Sequence, residues 1–391
     1  MARLPVIGVP RLRDLGCGAV RRPTPWREGL SRPSSIACSS APRERSSGAH
    51  APCSNPRGRR PHGPRRCRRS EMRAAPPPPG GMPTGVITLF AVPLGLAGLG
   101  GVWVEAQAVA SAPAWAGDAA YAGAAVAWLI LTVAYLAQGL RRPGMLGADL
   151  RNPVTGPLTA YPPVVGMLMV PHLGLYAHTA AEWICGVFVA TLMLLVAAML
   201  TNLFRGDVPL AAVHPGYFLP YAAGASITSI ALDGIGARTA ALTAVGAGLF
   251  LWVVLSALFF TRLATQEALP AAATPLLSVL LASPATAGIA WFAAHENRID
   301  PVIDALAGVI LLLILVQVHL LPDYRRVGFT LGFWAFAFPI ALTTNFGVRW
   351  LNGLHIADSE AWAWLLTSLA TVSIAALAAR SLVLVFGGPR T

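Results

Sequence analysis

The chain contains no lysine; all 29 of its basic residues are arginine. Charge of either sign is scarce, at 12% of 391 residues against 55% hydrophobic, and mean hydropathy is +0.60. That balance excludes an ordinary soluble domain and fits a polytopic membrane protein. Cysteine is nearly confined to the N-terminal part, with Cys17, Cys38, Cys53 and Cys67 there and only Cys185 beyond residue 82. The body therefore has no disulfide of its own, and the tail spacings match no compact zinc pattern. Also missing are G-x-S-x-G, H-E-x-x-H and a P-loop, so a membrane-embedded enzyme is the remote reading, and neither cofactor nor metal is expected. The net charge of +12 suggests nucleic acid until it is located. Residues 1–82 hold 17 arginines against Asp14, Glu28, Glu44 and Glu71, a surplus of 13, which leaves residues 83–391 at −1. No nucleic-acid partner is expected.

Residues 1–82 are rich in Arg, Pro, Ser and Gly and run into Pro76–Pro79. They contain no apolar run long enough for a signal-peptide core, and this composition predicts a disordered tail. Met72 and Met82 offer later starts, so one reading is a mis-called start codon. The others are a cytoplasmic regulatory tail and an arginine-rich contact to anionic lipid.

From residue 83 the chain reads as one ten-helix transmembrane domain. Apolar runs of membrane length fall at 84–104, 119–140, 157–177, 180–203, 214–234, 237–261, 274–294, 301–321, 327–347 and 360–384. One set of loops and the C-terminus holds Arg141, Arg142, Arg151, Arg205, Arg262, Arg325, Arg326, Arg380 and Arg390; the other holds Arg238, Arg298 and Arg349. The positive-inside rule then places both termini in the cytoplasm of a plasma (inner) membrane protein. Proline is distributed by parity. Pro93 lies in span one, Pro162, Pro163 and Pro171 in span three, Pro215 and Pro220 in span five, Pro275 and Pro284 in span seven and Pro339 in span nine. The even spans have no interior proline, with Pro301 where span eight begins and Pro322 after its end. The pattern predicts five hairpins, kinked odd-numbered helices lining a central pore and straight even-numbered helices outside.

Small residues accompany the prolines, notably Gly95 in span one and Gly224 in span five, where they permit close helix approach or expose backbone to a solute. Glu105 and Asp233 lie at the outer ends of spans one and five, and His214 at the cytoplasmic start of span five. The central parts of the odd spans carry no charge, which argues against a proton relay or an acid-lined cation path. Kinked helices present half-helix N-termini, whose partial positive charge would favour anions without a buried arginine. His172, His178 and Glu182 cluster at an outer turn as a weak metal candidate beside the plainer reading of wet interfacial side chains. His319 reads as a solvated or backbone-bonded ring.

Five stretches carry a resemblance: PTGVITLFAVPLGLAGLGGVW at 83–103, RNPVTGP at 151–157, HPGYFLPYAAG at 214–224, LASPATAGIAW at 281–291 and FTLGFWAFAFP at 329–339. Together they resemble the tellurite-resistance/dicarboxylate transporter (TDT) family, which includes bacterial tellurite-resistance channel proteins and plant guard-cell slow anion channels. The resemblance implies a ten-helix anion channel assembled as a homotrimer, each protomer with its own pore. It implies a gate at Phe329 and pore-lining prolines at Pro93, Pro163, Pro220, Pro284 and Pro339. By helical spacing Phe333 and Phe336 share a face with Phe329, while Trp334 and Phe338 share another, and only one stripe can face the axis. The leading function is a passive channel for small inorganic or organic anions. The alternative is a secondary carrier or exporter of a C4-dicarboxylate such as malate, or of sulfite or tellurite. Small anions and membrane lipid are the expected partners.

Overall fold

A computed structural model describes residues 85–386. The expected 1–82 tail and Arg390 lie outside that range. Among the described residues there are eleven α-helices and no strand: α1 (Ala91–Ala110), α2 (Ala114–Arg141), α3 (Met145–Arg151), α4 (Tyr161–Gly174), α5 (His178–Phe204), α6 (Gly224–Gly234), α7 (Arg238–Thr265), α8 (Val279–Ala294), α9 (Pro301–Arg326), α10 (Ala337–Gly353) and α11 (Ser359–Phe386).

The apolar, proline-free runs become long unbroken helices. α2, α5, α7, α9 and α11 have 26 to 28 residues each, about 39–42 Å at 1.5 Å per residue, enough to cross a hydrocarbon core of about 30 Å. α9 runs on through Pro322 to Arg326, so the helix end expected at that proline is not there. One missing amide close to a helix end, where water or neighbours can reach the freed carbonyl, is tolerated.

The proline-bearing runs behave differently. Each opens with a tighter or wider turn before the α-helix begins: 3-10 segments at Val86–Phe90, Gly156–Ala160, Ala271–Ser278 and Leu331–Phe336, and a π-helical segment at Leu219–Ala223. Pro93, Pro163 and Pro339 then sit in the first turn of α1, α4 and α10, where the missing N–H has no intrahelical acceptor to lose. Pro171 and Pro284 instead lie inside α4 and α8, so proline marks a change of helix type in some spans and a missing interior hydrogen bond in others. α4 alone has 14 residues, but with its 3-10 entry it reaches about 31 Å. Eight helices meet the length and hydropathy of a membrane span, three of them (α1, α8 and α10) together with their 3-10 entries; α4 and α6 are not among the eight.

Packing separates the two kinds of helix. α1 contacts α4, α4 contacts α6, α6 contacts α8, α8 contacts α10, and α10 contacts α1, which closes a circuit of five. α2, α5, α7, α9 and α11 pack on the outside of their neighbours in that circuit. Half to two-thirds of the apolar windows of α1, α8 and α10 are buried, against 11–22% in the five long helices. The backbone groups released at the helix-type junctions find side-chain partners. Trp128 Nε1 donates to the Pro162 carbonyl at 2.8 Å, Gln317 Nε2 to the Leu277 carbonyl at 3.2 Å and Ser278 Oγ to the Ala335 carbonyl at 3.1 Å. Such satisfaction is what lets irregular backbone exist at membrane depth.

Candidate functional site

The largest buried apolar cluster draws on all five inner helices, including Leu94 of α1, Val164 of α4, Ile227 of α6, Ala285 of α8 and Phe338 of α10. Pro93, Pro163, Pro220, Pro284 and Pro339 are all buried, as is Gly224. Gly95 serves close packing: a methyl group on it would overlap the Cβ of Ala337, so α1 and α10 meet backbone to backbone there. Hydroxyls on α6 fold back on their own helix, Thr228 to the Gly224 carbonyl at 2.8 Å and Ser226 to the Ala222 carbonyl at 3.1 Å.

The aromatic stretch at the start of the last inner span divides. Phe329, Phe333 and Phe336 form a continuous row, with centroids 5.4 and 5.9 Å apart. Phe336 meets Tyr324 of α9 edge-on at 4.8 Å, and the guanidinium of Arg380 on α11 lies 5.6 Å from the centre of the Phe329 ring. The row thus faces two of the outer helices. Phe338 is 4% exposed and belongs to the central cluster. Trp334 does not share its surroundings: its Nε1 donates to Ser381 Oγ of α11 at 2.9 Å. The difference from uniform α-helical spacing is the 3-10 segment, which turns about 120° per residue and aligns positions three apart, as Phe333 and Phe336 are. Depth also differs. Phe329 precedes the first helical turn, whereas Phe338 lies about 13 Å along the span from Leu331, about a third of the way to Gly353.

At the end opposite the arginine-rich loops, the inner ring carries a charged lock between Arg349, expected in a loop, and Glu105, expected at the outer end of span one. Arg349 on α10 pairs through one terminal nitrogen with Glu105 on α1 at 2.6 Å. It donates through the other to Asn297 Oδ1 at 2.7 Å, and through Nε to Asn345 Oδ1 at 3.0 Å. Asn345 in turn donates to the Gly101 carbonyl at 2.7 Å. The side chains of Arg349 and Glu105 are 20% and 13% exposed, so the pair is largely withdrawn from water. The i, i+4 spacing of Asn345 and Arg349 on a helix already assigned to the inner ring is the signal that could have revealed it.

The histidines are dispersed. His172 pairs with Asp118 at 3.2 Å and stacks on Tyr121 at 4.3 Å, while His178 pairs with Glu182 at 3.5 Å, so the three candidate ligands are not gathered. His214 uses both ring nitrogens locally, Nδ1 accepting from the Gly216 amide and Nε2 facing the Val154 carbonyl, each at 3.1 Å. His319 Nδ1 reaches the Leu315 carbonyl at 2.8 Å, the backbone-bonded ring expected of it.

A family model described as a voltage-dependent anion channel (SLAC1) matches residues 86–382, about three-quarters of the chain. The chain belongs to the SLAC1 family. No curated protein matches it. SLAC1 membership agrees with the resemblance carried by the five motifs and makes this a multi-span membrane protein of an anion channel or transporter family. The SLAC1 match begins at the first residue of the Val86–Phe90 segment and ends within α11, so it takes in the whole five-helix circuit and the outer helices.

Proposed function

We propose that the chain is a passive channel for small anions, its path running along the axis of the five-helix circuit. Ten spans form five hairpins, both termini lie in the cytoplasm of the plasma membrane, and three copies assemble side by side. The observation that carries the reading is the closed circuit of short, two-part helices with buried prolines, in a chain of an anion channel family. The inner segments run on from 3-10 or π turns into α-helix without a break, and the central parts of the inner spans carry no charge, which argues against an acid-lined cation path.

An aromatic plug closes this axis. The resemblance assigns the gate to Phe329; the packing favours Phe338, because that ring is buried in the central cluster with residues of α1 and α8. The two assignments separate in planar bilayers. Phe338→Ala is expected to raise anion current at least tenfold, with Phe329→Ala near wild type. A rise in Phe329→Ala alone returns the gate to Phe329, and no current in any form, together with exchange of radiolabelled malate in liposomes, excludes the channel.

A carrier of a C4-dicarboxylate, sulfite or tellurite is the second reading. The Glu105–Arg349 pair favours it, since ionisable groups withdrawn into a membrane protein commonly serve coupling. Uptake against a gradient driven by pH would establish it.

A further inference from the structure

Outside the five-helix circuit, at the arginine-rich end, a half-open cavity of about 500 Å³ opens between α9, α11 and the start of the last inner span. Its floor is aromatic and aliphatic, from Phe329, Phe333, Phe336, Ile340 and Leu377, and its rim carries Arg325 and Arg380. Tyr324 and Ser373 are the other polar side chains in its wall, and both are engaged: Tyr324 donates to Gln317 at 2.6 Å and Ser373 to the Leu369 carbonyl at 2.7 Å. Neither rim arginine has a carboxylate partner among the described residues, whereas neighbouring Arg326 is paired with Asp323 at 3.1 Å. The cation of Arg380 instead rests over the ring of Phe329, on whose other flank a second cavity of about 410 Å³ runs toward Val383 and Leu384.

We infer that this groove holds an anionic phospholipid, its phosphate between Arg325 and Arg380 and an acyl chain along the aromatic floor. The charges argue for it. Two exposed arginines near the C-terminal ends of the outer helices α9 and α11, both on the rim of one cavity, match a phosphate in sign. Their stems run along apolar surface and keep the charged heads at the interface. The floor argues for it as well, because an aromatic groove open toward the membrane side of α9 and α11 suits an acyl chain and offers nothing to a small hydrophilic anion. Leu321 at its edge is 42% exposed, and Val383 and Leu384 by the second cavity are 65% and 52% exposed. The inference depends on the chain's place in a membrane and not on whether the axis conducts or carries.

Native mass spectrometry of the full chain, released from vesicles of equal phosphatidylglycerol and phosphatidylcholine, tests it. Wild type is expected to retain phosphatidylglycerol over phosphatidylcholine by at least fivefold, Arg325→Gln/Arg380→Gln to lose that preference, and the Arg141→Gln/Arg142→Gln control, altered at the same end of the molecule, to keep it. Equal retention of both lipids, an unchanged preference in the Arg325/Arg380 variant, or an equal loss in the control overturns the inference. So does displacement of the lipid by millimolar inorganic phosphate, which would make the site one for the free anion. A drop in oligomeric mass in the variant with lipid retained would give the groove to a second copy of the chain and overturn it too. Because transport plays no part in the readout, failure here is separate from failure of the channel reading.

Discussion

Arg349 is where charge, packing and pathway meet. Its guanidinium makes three directed contacts, to Glu105, Asn297 and Asn345, which tie α10 to α1 and to the turn after α8. Removing one partner of a withdrawn ion pair leaves the other uncompensated, which costs about 3–5 kcal/mol when burial is complete and less at this exposure. Arg349→Ala is therefore expected to lower the thermal unfolding midpoint in detergent by several degrees, and Glu105→Gln, which keeps a hydrogen-bond acceptor, by less. An Arg349→Ala protein as stable as wild type would show the lock to be ornamental. Much of this scale was not legible in the sequence. Arg349 and Glu105 are 244 positions apart, and nothing in local pattern says that they touch. Helical spacing already put Phe338 and Phe329 on different faces, but it could not say which face meets the other inner helices; Phe338 packs in the central cluster and Phe329 lies beside Arg380 of α11.

At the scale of elements, alternation of proline-bearing and proline-free runs was readable, because it reflects a physical division: long helices facing lipid need unbroken hydrogen bonding, and inner ones can borrow partners. The form of the inner helices was not readable, since a proline in the first turn of a helix and one that bends it look alike in one dimension. The borrowed bonds give a direct test. Gln317 on α9 caps the Leu277 carbonyl and is itself oriented by the Tyr324 hydroxyl. Gln317→Leu removes the side-chain donor from a carbonyl that also accepts from the backbone, at a cost of about 0.5–1.5 kcal/mol, and is expected to speed amide exchange in the Ala271–Ser278 segment more than elsewhere. A second test concerns the start of α9. Asp300 Oδ1 accepts from the Val302 and Ile303 amides, both at 3.0 Å, and Oδ2 accepts from Trp291 Nε1 at 2.8 Å. Burial acts to raise its carboxyl, but these donors together outweigh it and hold the group below its usual 3.8. A lowered value stabilises the fold above the usual carboxylate range, and the gain fades as pH falls through the lowered value. Asp300→Ala should thus cost about 1 kcal/mol at pH 7, with the difference from wild type shrinking below pH 4 in denaturation series.

For the whole molecule, the circuit of five inner helices was foreseeable as an arrangement and not as a set of neighbours. Parity of proline said which helices go inside; it could not say that α1 meets α10 as well as α4. That closing contact has a temporal consequence. Asn345 reaches the Gly101 carbonyl across 244 residues of chain, and at a synthesis rate of about 5–20 residues per second that bond must wait roughly 12–50 s after Gly101 is made. During that interval one flank of α1, with Gly95 and Gly98 on it, has no partner from this chain. The circuit therefore cannot close before α10 is made, and the seam between its first and last inner helices is the contact with the longest wait between the synthesis of its two sides.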